Sequence, residues 1–210
     1  MQNAEIKRAI KHLSKHDNTL STIIKNIGII NLTPHKKYFN ALLDAIIGQQ
    51  LSMYAADKIA SRFMALFNNK PLPEQIFKAK NTSLRAVGLS NAKVKYVKDL
   101  SRKIIAKEIH LNKLSKMSDE EIILELTKVK GIGVWTSHMF LIFTLGRLNV
   151  LPYSDLGIRK AVMLNFNLKK LPNEKKIKSI SKKNNWNPYC SIVSIYLWKS
   201  LNNDLLKKNK

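Results

Sequence analysis

The chain has one cysteine, Cys190, in 210 residues. That excludes a disulfide within the chain and any zinc or iron–sulfur centre held by several of its own thiolates. Acids are also scarce, with Asp+Glu 14 against Lys+Arg 37. Long apolar runs are missing: the most apolar stretch, Met139 to Leu145, falls far short of the ~20 residues a membrane-spanning helix needs. No signal-peptide pattern opens the chain, and alternating strand patterns are nearly absent. The five histidines are scattered, and only His12 and His16 share an i, i+4 helical face. They lie on a basic amphipathic helix, where a solvated pair is the plainer reading than a metal site. A reduced compartment is expected: cytoplasmic, or nuclear in a eukaryote.

What is present is positive charge, a formal +23. A coding bias toward lysine explains many lysines but not so few acids beside them. A field of this sign attracts polyanions. Nucleic acid is therefore the leading partner class, with an anionic membrane surface or plain solubility as alternatives. Hydrophobic content of 45% over 210 residues is enough for a real core, as one domain or two small lobes.

Helical periodicity runs from end to end and predicts an all-α fold. Glu5 to His16 sets Ile6, Ile10 and Leu13 on one stripe. Leu20 to Ile30 is a second segment, stopped near Gly28 and Pro34. Lys37 to Gln50 is a strongly apolar helix with Phe39, Leu42, Leu43, Ile46 and Ile47 inward. After Gly48-Gln49-Gln50-Leu51, Ser52 is placed to cap a helix from Met53 to Phe67. Pro73 to Ala79 and Thr82 to Val87 are short pieces. Ser90 can cap a basic helix from Asn91 to Lys107, and Ser118 with Glu121 forms a capping box. The helix it opens carries Ile122, Ile123, Leu126 and Val129 inward and ends at Gly131. The next begins at Gly133 and runs through Phe143. Asp155 opens a helix to Phe166, Lys169 to Lys183 reads as a solvated helix, and Tyr189 to Leu201 is an apolar terminal one.

Two features stand out for chemistry. Gly131-Ile132-Gly133 lies between two helical patterns. Its glycines accept positive φ and let a ligand approach the backbone. The amides of Gly131, Gly133 and Val134 would sit at a helix N-terminus, which favours an anion such as a phosphate diester. Taken alone, the pattern is read equally well as a tight turn between packed helices. Further on, Asp155 stands at the start of a helix, where an N-cap is its commonest role.

The flanks narrow these readings. Val129-Lys130-Gly131-Ile132-Gly133-Val134-Trp135-Thr136 resembles the helix–hairpin–helix of base-excision DNA glycosylases, the HhH-GPD superfamily, with Lys130 where the family usually has proline. Pro152-Tyr153-Ser154-Asp155-Leu156-Gly157-Ile158-Arg159-Lys160-Ala161 is similar to the segment carrying that family's essential aspartate. Gly48-Gln49-Gln50-Leu51-Ser52 resembles its wedge segment. Trp186-Asn187-Pro188-Tyr189-Cys190-Ser191 through Tyr196-Leu197-Trp198 resembles the ending of its 3-methyladenine branch, with Cys190 in the place of the usual arginine. The likeness spans about Tyr38 to Leu201.

The resemblance implies an all-α, two-lobed fold with a DNA-binding cleft between the lobes. It implies a hairpin over about 118–146 within a core of 37–210, a helical extension over 1–36, and no N-terminal β domain. It makes Asp155 the catalytic carboxylate, and an N-cap position is compatible with that role because a helix N-terminus favours an ionised carboxylate. It implies DNA contacts from Lys130, Gly131, Ile132, Gly133, Val134 and Thr136. Gln50 is the implied wedge, with Leu51 close behind; the alternative is a polar helix end with Leu51 in the core. Trp135, Met139 and Tyr153 would line a base pocket, though a tryptophan on an apolar helix face is as often core. Met139 stands where the family frequently has an aromatic. Strand-cleaving members carry a lysine where this chain has Trp135, so base release without strand cleavage is expected. No cofactor is required, and a Na+ or K+ ion could sit on the carbonyls of Thr127, Val129 and Ile132. The expected partner is double-stranded DNA bearing damaged bases, bound by a monomer with no membrane role. The expected substrates are alkylated purines such as 3-methyladenine and 7-methylguanine. The rival readings are a non-catalytic DNA-binding module and a glycosylase for oxidised or deaminated bases.

Overall fold

The computed structural model describes residues 2–202. Its α-helices, in chain order, are α1 (Gln2–His16), α2 (Asn18–Ile27), α3 (Tyr38–Gly48), α4 (Met53–Leu66), α5 (Pro73–Lys78), α6 (Asn81–Ala86), α7 (Asn91–Ile105), α8 (Asp119–Thr127), α9 (Val134–Met139), α10 (Leu156–Asn165), α11 (Glu174–Lys183) and α12 (Cys190–Asn202). A 3₁₀ segment, Leu111–Lys116, precedes α8, and a π-helical turn, Phe140–Thr144, continues α9. No strand occurs among the described residues. The fold is all-α, as the periodicity requires. The chain forms two compact units: His35–Phe140, and a second made from the described residues up to Pro34 and from Leu141 onward.

In the first, hairpin unit, α3 packs on α4 and α7, α7 on α5 and α6, and α8 on α9. Leu42, Leu43, Ile46 and Ile47 bury the face the sequence assigned to α3, while Phe39 is only half-buried. Phe63, Leu84, Val97, Leu100, Ile122 and Leu126 are buried in the same unit. Each such side chain contributes on the order of 1.5–3 kcal/mol when removed from water. The expected caps form. The Ser52 and Ser90 hydroxyls accept from the Ala55 and Lys93 amides at 3.3 and 3.2 Å. Ser118 and Glu121 cap each other's amides at 3.2 and 2.7 Å. A cap of this kind is worth about 1 kcal/mol.

Helix α8 stops at Thr127, short of Gly131. The α ladder ends at Val129, whose amide turns to Leu126 O instead of reaching back to Glu125. The Lys130 amide, which a continuing α-helix would aim at Leu126, donates to the Asp99 carboxylate at 2.9 Å. The chain then coils tightly through Val129 N–H to Leu126 O and Ile132 N–H to Val129 O, both 3.1 Å. Likewise α9 is α-helical only to Met139, and the predicted continuation to Phe143 is a π turn.

In the second, aspartate unit, α12 is the central element, with α10, α2 and α1 against it. Two side chains fasten the N-terminal helices. Trp186 Nε1–H donates to Asp17 at 2.7 Å, and the other Asp17 oxygen caps α2 through the Leu20 amide at 2.9 Å. Tyr196 donates its hydroxyl to the Gly28 carbonyl at 2.8 Å. Helix α11 starts at Glu174, under an Asn173 cap and past Pro172, rather than at Lys169. It is not wholly solvated: Ile177 and Ile180 are buried among its lysines.

Candidate active site and nucleic-acid interface

The hairpin turn is built on a glycine that has no substitute. Gly131 takes φ +83°, and a Cβ there would stand 2.2 Å from Cδ2 of the Tyr96 ring on α7. The aromatic ring is thus the floor on which the turn rests. Gly133 differs, because its backbone is extended (φ −101°) and a Cβ would meet nothing within 4 Å. The amides of Gly133 and Val134 open α9, where no preceding turn can accept them. Ile132 is buried and contributes its backbone only, whereas Lys130, Gly131, Gly133 and Val134 are exposed. Thr136 is buried to 5% exposure, which places its side chain against the protein rather than on an open surface.

Two side chains hold this turn to its surroundings. Asp99 on α7 takes the Lys130 amide, and Gln49 Nε2–H donates to the Gly131 carbonyl at 2.7 Å. Gln49 belongs to the corner between α3 and α4, where Lys93 donates to the carbonyls of Ile47 and Gln49, each at 2.7 Å. These are carbonyls that the end of α3 leaves without helical donors. Burial pushes the Lys93 ammonium below its ordinary range.

Gln50 follows in the left-handed region (φ +58°), exposed, with Leu51 beside it at 37% exposure. Leu51 is therefore not core. Gln50 and Leu51 share a cavity of about 710 Å3 with Gly131, Trp135, Thr136, Met139, Tyr96 and Asp44. Trp135 is 48% exposed and Met139 half-buried, so the tryptophan is not a core residue either. The Asp44 carboxyl on the wall is raised, first by desolvation and then by the Asp57 charge, with His35 acting against them.

In the aspartate unit, Asp155 is the N-cap of α10. Its Oδ1 accepts from the Ile158 amide at 2.7 Å and from Trp198 Nε1–H at 2.8 Å. Trp198 reaches it from α12 because Gly157 leaves the way open. A Cβ on Gly157 would lie 3.0 Å from both Asp155 Oδ1 and Trp198 Cδ1. Phe143 stacks on the Trp198 ring, centroids 6.0 Å apart. The segment leading to Asp155 is anchored by Ser191, whose hydroxyl donates to Arg147 O at 2.6 Å and accepts the Val150 amide at 2.9 Å. Tyr153 has Lys178 Nζ over its ring at 4.7 Å, so a cation already covers one face. Cys190 is buried beside the Ser181 hydroxyl at 3.8 Å, and burial pushes its thiol up. At this position a small side chain packs where an arginine would carry charge.

Of the predicted residues, Gln50, Leu51, Gly131, Trp135, Thr136 and Met139 come together in the hairpin unit, and Tyr153 and Asp155 belong to the other. Sequence reasoning missed the parts played by Gln49, Lys93, Tyr96, Asp99, Gly157 and Trp198. Gln49, Gly157 and Trp198 lie inside quoted motifs and were findable; Lys93 is one lysine on a basic helix and carries no such mark. Among the described residues no group of three or more His, Cys, Asp or Glu could hold a metal ion, and no helix is long and apolar enough to cross a membrane.

Comparison with known proteins identifies the family and the fold. The model of the HhH-GPD superfamily of base excision DNA repair proteins matches residues 43–187. The alkylbase DNA glycosidase-like protein mag2 of Schizosaccharomyces pombe is 32% identical over 94% of this chain and 94% of its own length. The structure of S. pombe 3-methyladenine DNA glycosylase (Mag1) in complex with abasic DNA is 33% identical. It superposes with a TM-score of 0.83 over 93% of this chain and 97% of that one. The DNA-3-methyladenine glycosidase of Bacillus halodurans superposes with a TM-score of 0.82 at 28% identity, over 96% and 91% of the two chains. With the family model matching most of the chain and relatives 32% and 33% identical along nearly all of it, this protein is a member of the HhH-GPD superfamily of base excision DNA repair proteins.

Proposed function

We propose that the protein is a monofunctional DNA glycosylase that binds damaged double-stranded DNA as a monomer and hydrolyses the N-glycosidic bond of alkylated purines, chiefly 3-methyladenine and also 7-methylguanine. The observation that carries this reading is Asp155, held at the start of α10 by the Ile158 amide and the Trp198 indole, both on Oδ1. Breaking the bond between C1′ and the base nitrogen builds positive charge on the sugar. A carboxylate fixed in place stabilises that charge and orients the water whose oxygen bonds C1′ as the base departs. Two fixed donors on one oxygen prevent the carboxylate from rotating away. Cationic alkylated bases are good leaving groups and suit an electron-rich wall such as half-exposed Trp135. The mag2 and Mag1 relatives, named for alkylbase and 3-methyladenine removal, support this substrate class.

Strand cleavage is not expected, because the position at which strand-cleaving relatives carry a lysine is Trp135, which cannot form a Schiff base. DNA binding is assigned to the hairpin backbone, with Lys130 beside it, and base extrusion to Gln50 and Leu51. No cofactor is required. A Na+ or K+ ion on the carbonyls of Thr127, Val129 and Ile132 fits the negative end of α8. Val129 O keeps one lone pair after accepting the Ile132 amide. Such an ion would brace the turn and take no part in the reaction.

The test is release of free base from duplexes carrying methylated purines, hypoxanthine, uracil or 8-oxoguanine. Wild-type protein should free the methylated purines, and Asp155→Asn should bind DNA yet free them roughly a thousandfold more slowly. Release by Asp155→Asn at the wild-type rate would overturn the assignment. Borohydride trapping of a covalent DNA adduct would overturn the absence of strand cleavage.

A further inference from the structure

We propose that Gln49 and Lys93 are positioning residues that couple DNA-backbone binding at the hairpin to extrusion of the target base; this rests on the glycosylase reading above. Lys93 brings two carbonyls, Ile47 O and Gln49 O, onto one ammonium at 2.7 Å each. That folds the chain sharply at the end of α3, and the Leu51 amide closes the corner onto Gly48 O at 3.2 Å. The next residue, Gln50, is thereby held at φ +58°, a conformation that residues other than glycine seldom adopt unless their surroundings impose it. Gln50 and Leu51 are exposed, so the corner is fixed from its base and not from its tip.

The base is also tied to the hairpin. The Gln49 side chain donates to the carbonyl of Gly131 at 2.7 Å, across 82 residues of sequence. Gly131 is the residue whose φ of +83° sets the turn. A single side chain therefore connects the turn that leads into the Gly133 and Val134 amides to the corner that presents the wedge. A shift of the turn on meeting a phosphate is transmitted to Gln50 and Leu51 through one hydrogen bond. Without that bond the hairpin keeps its amides, Asp99 and Tyr96. The wedge corner keeps its apolar footing on α3, and only their mutual register is lost.

Three variants test this: Gln49→Leu, which removes the donor, Lys93→Met, which removes the ammonium, and Lys93→Arg, which keeps a cation. Each is measured for affinity to undamaged duplex across a salt series. Each is also measured for single-turnover release of 7-methylguanine, either paired with cytosine or opposite an abasic-site analogue, where little unpairing is needed. Gln49→Leu and Lys93→Met should leave affinity and its salt slope unchanged. They should slow release from the paired lesion by roughly tenfold to a hundredfold, as a misplacement of about an ångström does, and from the unpaired lesion by about threefold or less. Lys93→Arg should restore most of the paired rate. Asp155→Asn, a defect in chemistry, should slow both substrates alike. Equal slowing on the two substrates by Gln49→Leu, or none on either, overturns the coupling while wild-type activity upholds the glycosylase reading. Wild-type protein that frees no base overturns both. Should Lys93→Met fail to fold, the paired-to-unpaired ratio of Gln49→Leu decides.

Discussion

The two units make their candidate sites from opposite materials. In the hairpin unit the candidate atoms are backbone: the amides around Gly133 and a carbonyl at Gly131, with side chains from α7 and from the corner after α3 holding the peptide in shape. In the aspartate unit the candidate atom is a side-chain oxygen on Asp155, held by a backbone amide and an indole. A backbone site needs a conformation, so its signature is glycine and its weak point is sterics. A side-chain site needs a chemical group at a fixed angle, so its weak point is the identity of one residue and of the group that aims it. The contrast accords with a division of labour in which sequence-independent DNA positioning falls to peptides and bond cleavage to a carboxylate.

The largest test removes the charge. Asp155→Asn keeps the shape of the cap and should cut single-turnover base release by roughly a thousandfold, about 4 kcal/mol, with duplex affinity unchanged in a filter-binding or anisotropy titration. Next comes sterics in the other unit. Gly131→Ala forces a Cβ into Tyr96 at a positive φ and should lower unfolding free energy by about 2–3 kcal/mol. Gly133→Ala, where a Cβ meets nothing, should change it by under about 0.5 kcal/mol. Equal destabilisation by the two glycine variants would break the account of the turn. A smaller effect is expected from Gly157→Ala. Its Cβ displaces Trp198 by a few tenths of an ångström, so release should fall about tenfold while stability falls by about 1 kcal/mol. No loss of rate would mean that the indole does not aim Asp155.

The mildest test is pH. The Glu108 carboxyl is held down from 4.5 to about 2, first by its hydrogen bond to Arg102 and then by that to Lys103. A depressed folded-state value stabilises above the unfolded value, so this contribution fades as pH falls from 4.5 through about 2, and Glu108→Gln should remove it. Tyr196 runs the other way. Burial raises its phenol from 10.0 to about 12, so its contribution is complete below 10 and is lost as pH rises through 12. Glu108→Gln should therefore change the acid limb of a pH melt only slightly, since its ion pairs are exposed, and Tyr196→Phe should flatten the alkaline limb.

Much of the fold could be read in advance because its signals are local. Ser52, Ser90, Ser118 with Glu121, and Asp155 all cap the helices they precede, since a side-chain oxygen three residues ahead of an amide finds it without help from the rest of the chain. Helix ends were harder. Helix α8 stops early where the Val129 amide turns to Leu126 O and Asp99, far off in sequence, holds the Lys130 amide, and no local pattern announces that. The lysine-rich α11 misled for a similar reason: Ile177 and Ile180 count as a stripe only once there is a core to receive them.

The all-α class, the cap positions, the basic charge, the Gly131 turn and Asp155 at the head of its helix are legible in the residues alone. Each follows from residue chemistry over a few neighbours, or from a sum over all residues. Tertiary structure alone decided that Tyr96 lies under Gly131, that Gln49 reaches Gly131 with Lys93 behind it, and that Trp198 meets Asp155 across the gap Gly157 leaves. Those contacts join residues dozens of positions apart, and a long-range hydrogen bond depends on the direction of both helices that carry it. Composition and periodicity contain no such direction; packing supplies it.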